Sequence, residues 1–244
     1  MEAPKPEKVS ETLTIYQQKG VFSYGTDAVM LAKYVISSVR ALDGKSMCDL
    51  CCGTGIIPLM LCDYSKGVVC TGVEINGKAC ELSRMSAEVS GYSNRFTAVN
   101  ADIKDYKTLF RPEQFDFLTC NPPYMTADCG MMCGDDSKTI ARHEVLCNID
   151  DVFRAAYYLL RTGADIYIVY RTDRLASLFK AAENNRFQIK EMTFALSSEP
   201  PSQTKLVVCR AKKGAAEGLS VSAANTLWLC EKELQTPKGG IRHE

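Results

Sequence analysis

Four consecutive residues, Asn121-Pro122-Pro123-Tyr124, follow the strand-like run Phe115-Asp116-Phe117-Leu118-Thr119-Cys120 and carry chemistry suited to a planar amine. The prolines fix φ and remove two backbone N–H groups, leaving the carbonyls around Asn121 and Pro122 to accept hydrogen bonds. An exocyclic amino group conjugated to an aromatic ring is a poor nucleophile. Holding one of its hydrogens on the Asn121 side-chain oxygen and the other on the Pro122 carbonyl favours a pyramidal, reactive nitrogen, which is catalysis by positioning without a covalent enzyme intermediate. Tyr124 supplies a ring on which a flat base, extruded from a nucleic acid, stacks. The bland reading is a proline-stiffened loop after a strand.

A second signal lies upstream, where the apolar run Met47-Cys48-Asp49-Leu50 enters Cys51-Cys52-Gly53-Thr54-Gly55 and then a helix. Gly53 and Gly55 let the backbone approach a ligand closely, and the following helix points its N–H groups at it, with Pro58 in the first turn. The spacing differs from G-x-G-x-x-G, and Asp49 precedes the glycines. A carboxylate there suits a cationic cofactor better than a pyrophosphate. S-adenosylmethionine carries a sulfonium and an ammonium and no phosphate. Glu74 and Asp102 end the next two strand-like runs, at the sheet edge where an open α/β sheet binds ligands. The first is placed to accept from ribose hydroxyls and the second to read an adenine amine. Either acid taken alone is better explained as a helix cap or a solvated loop residue, and their order after the glycine turn and before Asn121 is what points to a site.

With these residues in place the chain resembles the class I S-adenosylmethionine-dependent methyltransferases, in the branch that methylates amino groups through an NPPY motif. The resemblance spans roughly residues 12–210. Gln18-Lys19-Gly20 with Tyr24-Gly25-Thr26-Asp27-Ala28-Val29-Met30-Leu31-Ala32, and Ala141-Arg142-His143-Glu144 after the NPPY, are similar to the bacterial tRNA1(Val) adenine-N6-methyltransferases. That family acts on the adenine just 3′ of the anticodon. The resemblance implies a cofactor role for Asp49, Gly53, Gly55, Glu74, Asp102 and Asn121, and a substrate-amine role for Asn121, Pro122 and Tyr124. It further implies that Tyr24, Gly25, Thr26 and Asp27 line the methionine end of S-adenosylmethionine. Cys51 stands where the family's loop carries its first glycine.

The elements that must position these groups follow from periodicity. Thr12 to Val21 alternates like a short hairpin. Thr26–Val39 and Asn76–Ser90 carry apolar residues at helical spacing, and Asp150 is a candidate cap for a helix through Leu160, with Gly163 as its stop. Strands are expected at 164–170, 187–195 and 205–210. Strands alternating with helices give an α/β, Rossmann-like sheet, mainly parallel and covered by helices on both faces. The resemblance makes it seven-stranded with an antiparallel last strand. Residues 11–244 are read as one methyltransferase domain with an N-terminal hairpin, and residues 1–10, rich in proline and charge, as a flexible tail.

Composition bounds the rest. The chain has 244 residues, no run approaching a membrane span and no apolar leader-like segment, so a cytoplasmic protein without membrane contact is expected. Most of its 12 cysteines fall in apolar runs and read as small, reduced hydrophobes. Cys48-x-x-Cys51 has zinc-like spacing, but two strand residues three apart face opposite ways, so no metal is expected. Net charge is zero, yet between Arg161 and Lys213 basic residues outnumber acids two to one. Of these Arg171 and Arg174 follow a strand end on the site's side, and with Arg142 they are the candidate RNA contacts. Methyl transfer to an amine needs no strong base, so His143 is read as an ion-pair or RNA contact. The stretch 128–138 has no assignable chemistry, and neither has the C-terminal tail with Trp228. Three functions stay open: N6-methylation of a tRNA adenine; methylation of a protein glutamine or of an rRNA or DNA adenine; and a silent RNA-binding module.

Overall fold

Alternation along the central strands sends successive side chains to opposite faces of one sheet, and each face is buried under its own helices. The computed structural model describes residues 2–123, 147–195 and 204–222. Its strands are β1 (Lys5–Lys8), β2 (Thr14–Gln17), β3 (Ser46–Leu50), β4 (Val69–Glu74), β5 (Phe96–Asn100), β6 (Phe115–Cys120), β7 (Leu160–Arg171), β8 (Phe187–Ala195), β9 (Leu206–Lys213) and β10 (Ser220–Ser222). The helices are α1 (Thr26–Ser38), α2 (Ile56–Tyr64), α3 (Gly77–Val89), the single turn α4 (Tyr106–Leu109), α5 (Ile149–Leu159) and α6 (Leu175–Asn184).

The large sheet has eight strands in the order β10-β8-β9-β7-β6-β3-β4-β5. Neighbours from β5 through β7 are parallel, whereas β9 is antiparallel to both β7 and β8. The seven expected strands are present, and β10 adds a short eighth, parallel to β8. Met47, Phe117, Tyr167 and Val169 face a core shared with α1 and α2, while Cys48, Leu118, Cys120, Ile166 and Ile168 face one shared with α5 and α6. From β3 the chain runs outward to β5, then crosses back to place β6 on the other side of β3. That reversal opens a crevice at the carboxyl ends of β3 and β6, and the glycine turn and Asn121 are its two lips.

Several boundaries differ from expectation for local reasons. Residues 5–8, expected to belong to a mobile tail, pair with β2, and Pro6 is accommodated because a two-stranded ribbon leaves one side of each strand without a ladder. Asn148, not Asp150, caps α5, in a capping box with Asp151, and Asp150 falls in the first turn. Gly163 does not stop the helix. The strand begins at Leu160, and Gly163 takes φ +76° where the β6–β7 register shifts.

The hairpin is docked through serine hydroxyls. The backbone N–H groups of Thr14 and Tyr16 donate to Ser90 Oγ (3.0 Å), at the C-cap of α3, and to Ser86 Oγ (2.8 Å), on α3 itself, while Leu13 and Ile15 enter the core. Ser10 Oγ donates to Asp63 Oδ2 at 2.8 Å, and the hydroxyls of Thr12 and Tyr92 donate to the same carboxylate. Ser86→Ala strips the Tyr16 N–H of its partner and is expected to lower urea stability by about 1–3 kcal/mol, with faster amide exchange at Tyr16. Unchanged exchange there would show that the bond does not hold the hairpin.

Candidate active site

The turn after β3 is built from three residues in the left-handed region, Cys51 (φ +62°), Gly53 (φ +55°) and Gly55 (φ +84°). Gly55 is required twice over: it leads α2 at positive φ, and a Cβ there would lie 2.9 Å from Ser83 Cβ on α3. Cys51 adopts the conformation that a glycine takes without strain, so the turn forms despite the substitution, at a cost of about 1–2 kcal/mol. Having left the strand, Cys51 turns back to the side that Cys48 faces, which corrects the expectation that the two thiols point to opposite faces. It packs against the cluster that holds Cys120, as Cys147 does. Contact with Cys120 and burial push the Cys51 thiol well up, and burial raises Cys120, so these groups behave as packed neutral thiols.

Glu74 ends β4 nearly buried, and its carboxylate ties the turn to the next helix. Oε2 accepts from the Gly53 N–H and Oε1 from the Asn76 N–H, each at 2.8 Å. Asn76 then caps α3 by accepting from Lys78 and Ala79. Gly72 in β4 leaves room for Cys52 of the turn, whose Sγ would lie 2.6 Å from a Cβ at that position. The lone glycine inside the strand run was a readable sign of this close approach.

Asp49 lies across β3–β6 from Thr119, with its register and a 2.6 Å bond from Thr119 Oγ1 to Asp49 Oδ1 joining them. The sequence reading passed over Thr119, although a hydroxyl in an otherwise apolar run was the available signal. Asp49 is 0% exposed. Burial pushes its carboxyl up to about 8, the Thr119 hydroxyl pulling it partly down and the neighbouring Glu74 carboxylate adding to the rise. Asp49 Oδ2 and, in the turn itself, Thr54 Oγ1 are buried without a hydrogen-bond partner among the described residues. A bound polar or cationic group offers what such atoms lack, so the turn fits the cofactor expected there.

On the opposite lip, Asn121 Nδ2 donates to Asp27 Oδ2 at 3.1 Å, joining the end of β6 to the first turn of α1. Tyr24, two residues before α1, packs against the core that α1 shares. Burial, then the nearby Glu7 carboxylate of β1, raises its pKa far above the ordinary tyrosine value. Pro122 is buried. Thus of the segment 24–27 Asp27 meets Asn121, and of the residues around the turn Glu74 meets Gly53. Asp102 follows β5 at the same edge but acts as a cap, accepting from the Lys104 N–H at 2.9 Å and pairing with its ammonium at 3.3 Å. Tyr124, Arg142, His143 and the stretch 128–138 lie outside the described residues, as does Trp228.

The basic half of the chain divides. Arg171 and Arg174 follow β7 at the crevice edge, joined there by Lys205, whose carbonyl accepts from the Thr172 N–H. Arg171 makes a two-pronged bond to Asp173 at 2.9 and 2.6 Å. At the far edge Arg161 pairs with Asp116, Arg210 with Asp165 and Glu191, and Lys213 with Glu113. These cations serve the fold rather than a ligand at the crevice.

The methyltransferase small domain matches residues 12–183. A tRNA1(Val) (adenine(37)-N6)-methyltransferase of Porphyromonas gingivalis is 29% identical over 69% of this chain and 66% of its own length, slightly under two thirds of that relative. Another of the same name, from Phocaeicola vulgatus, is 24% identical over 84% of this chain and 83% of its own. A release factor glutamine methyltransferase of Clostridium acetobutylicum is 29% identical over 48% and 40%. Among solved structures, TrmN from Thermus thermophilus superposes with a TM-score of 0.57 at 20% identity, covering 75% of this chain and 48% of that one, a likeness of fold.

The raised Asp49 carboxyl has a consequence for stability. The folded protein keeps this proton up to about pH 8, whereas the unfolded chain loses it near 4. Its contribution is therefore full below the unfolded value and declines, by up to about 1.4 kcal/mol per pH unit, until it is lost as pH rises through the folded value. Urea denaturation at pH 5 and pH 8 is expected to show a smaller drop for Asp49→Asn than for the native chain. Equal drops would mean that Asp49 is ionised in the folded state.

Proposed function

The chain belongs to the methyltransferase small domain family, and on that premise we propose that it transfers a methyl group from S-adenosylmethionine to N6 of an adenine in tRNA. The observation that supports the reading is strand register: Leu50 of β3 pairs with Cys120 of β6, so Asn121 and Pro122 follow beside the start of the glycine turn, which Glu74 holds. The relatives matched over most of the chain, named for adenine 37 of tRNA1(Val), favour that base as the target. Arg171, Arg174 and Lys205 at the crevice edge supply the charge a phosphate backbone needs.

S-adenosylmethionine, when bound, supplies an electrophilic methyl group. Asp49, Gly53, Gly55 and Glu74 hold it on one side, and Tyr24, Gly25, Thr26 and Asp27 at its methionine end. Its cationic groups fit beside a buried carboxyl whose second oxygen lacks a partner among the described residues. Asn121 Oδ1 and the Pro122 carbonyl accept the two hydrogens of the adenine amine, turning the nitrogen lone pair out of conjugation with the ring. Tyr124 stacks on the base. The methylated nitrogen is acidic enough to release its proton to water, so no side chain has to act as a base. Glutamine in a protein poses the same problem to the same acceptors, and the partial match to a release factor glutamine methyltransferase makes it the second reading.

Labelled methyl transfer to tRNA lacking its native methylation, followed by nucleoside analysis, tests the proposal. N6-methyladenosine in a valine tRNA is the expected product, and label appearing in protein glutamine instead would overturn it. Asn121→Ala is expected to lower kcat by at least about 100-fold with nearly unchanged cofactor affinity, because its contacts form with the substrate. Glu74→Ala is expected to raise the cofactor Kd before it changes anything else. Retained turnover in the first, or unchanged cofactor binding in the second, would remove that residue from its role.

A further inference from the structure

A carboxamide can serve an amine only with its oxygen turned toward it, since the opposite flip sets one donor against another. The two flips of Asn121 have nearly the same shape, so their partners decide between them. One partner is given by the fold. Asp27 Oδ2 lies 3.1 Å from Asn121 Nδ2, and a carboxylate only accepts, so the contact is satisfied by the flip that places nitrogen on Asp27 and leaves oxygen for the other side. Asp27 is itself held. Its Oδ1 accepts from the Ala28 N–H at 2.9 Å and folds back over Gly25, where a Cβ would come within 2.6 Å of that oxygen. Gly25 has φ −106° and ψ 179°, a conformation open to any residue, so the backbone does not demand a glycine. The space of the missing side chain is used by the Asp27 carboxylate.

We infer that Asp27 is a positioning residue that fixes the flip of the Asn121 carboxamide for the methyl-accepting amine, and that Gly25 is glycine to give Asp27 the room to do so. The inference rests on the reading of Asn121 as the amine acceptor. It extends the catalytic unit to three residues, Gly25, Asp27 and Asn121, two of which never touch the substrate amine. An amide held in place before the substrate arrives has no rotation left to lose on binding.

A reciprocal exchange tests it. Asp27→Asn sets amide against amide, accepts either flip, and is expected to lower kcat at saturating cofactor by about 10- to 100-fold. Asn121→Asp sets two carboxylates in contact. They share a proton with a raised pKa, so activity is highest at low pH and falls as pH rises. The double variant restores one donor and one acceptor with the roles reversed, and is expected to regain at least about tenfold in kcat over Asn121→Asp and to lose that pH dependence. Gly25→Ala keeps the carboxylate but displaces it, and is expected to behave like Asp27→Asn with a near-native Tm. Losses that simply multiply in the double variant would overturn the inference. A readout without substrate or cofactor separates it from the RNA proposal: the Asn121 side-chain amide signal in the 15N–1H spectrum. That signal should shift in both Gly25→Ala and Asp27→Asn. A signal unmoved by either would sink the inference whatever the substrate is, whereas failure of the native chain to methylate RNA would sink only the proposed target.

Discussion

The two hydrogen bonds to the Glu74 carboxylate set the geometry on which the crevice depends. A turn with three left-handed residues has backbone N–H groups that no strand or helix satisfies, and one of them, on Gly53, is answered from the neighbouring strand. The second oxygen answers Asn76 at the start of α3. One side chain therefore locks the turn, the end of β4 and the entry of a helix to one another. A nearly buried carboxylate engaged by two N–H groups is an acceptor already oriented by the fold, which is what a ligand hydroxyl requires of it.

Beside it, Asp49 shows how the same edge tolerates two acids a short distance apart. Glu74 is solvated by backbone donors, whereas Asp49 has a single hydroxyl from Thr119 and full burial. That burial pushes the Asp49 carboxyl toward its neutral form.

The opposite lip works through hydrogen-bond direction rather than charge. Asp27, an acceptor only, leaves Asn121 one orientation in that contact, and the open space at Gly25 admits the carboxylate that does so. The hairpin adds a further layer, since the Glu7 carboxylate of β1, a strand expected to be loose, helps raise the Tyr24 hydroxyl just before this segment.

The order of strands and helices, the glycine turn and the line of acids at the strand ends were legible in the sequence, because periods of 2 and 3.6 residues and the demands of positive φ are local properties. Leu13, Met47, Leu118 and Ile166 declare their burial by their neighbours in the chain. Partnerships were not legible. Asp27 and Asn121 stand 94 residues apart, Thr119 meets Asp49 through strand register, and the cations of the C-terminal half divide between the crevice and far-edge ion pairs according to which end of an antiparallel strand carries them. A residue type fixes which bonds a side chain is able to make; only the packing of distant elements fixes which of them it makes, and here that decided the flip of an amide and the charge of a carboxyl.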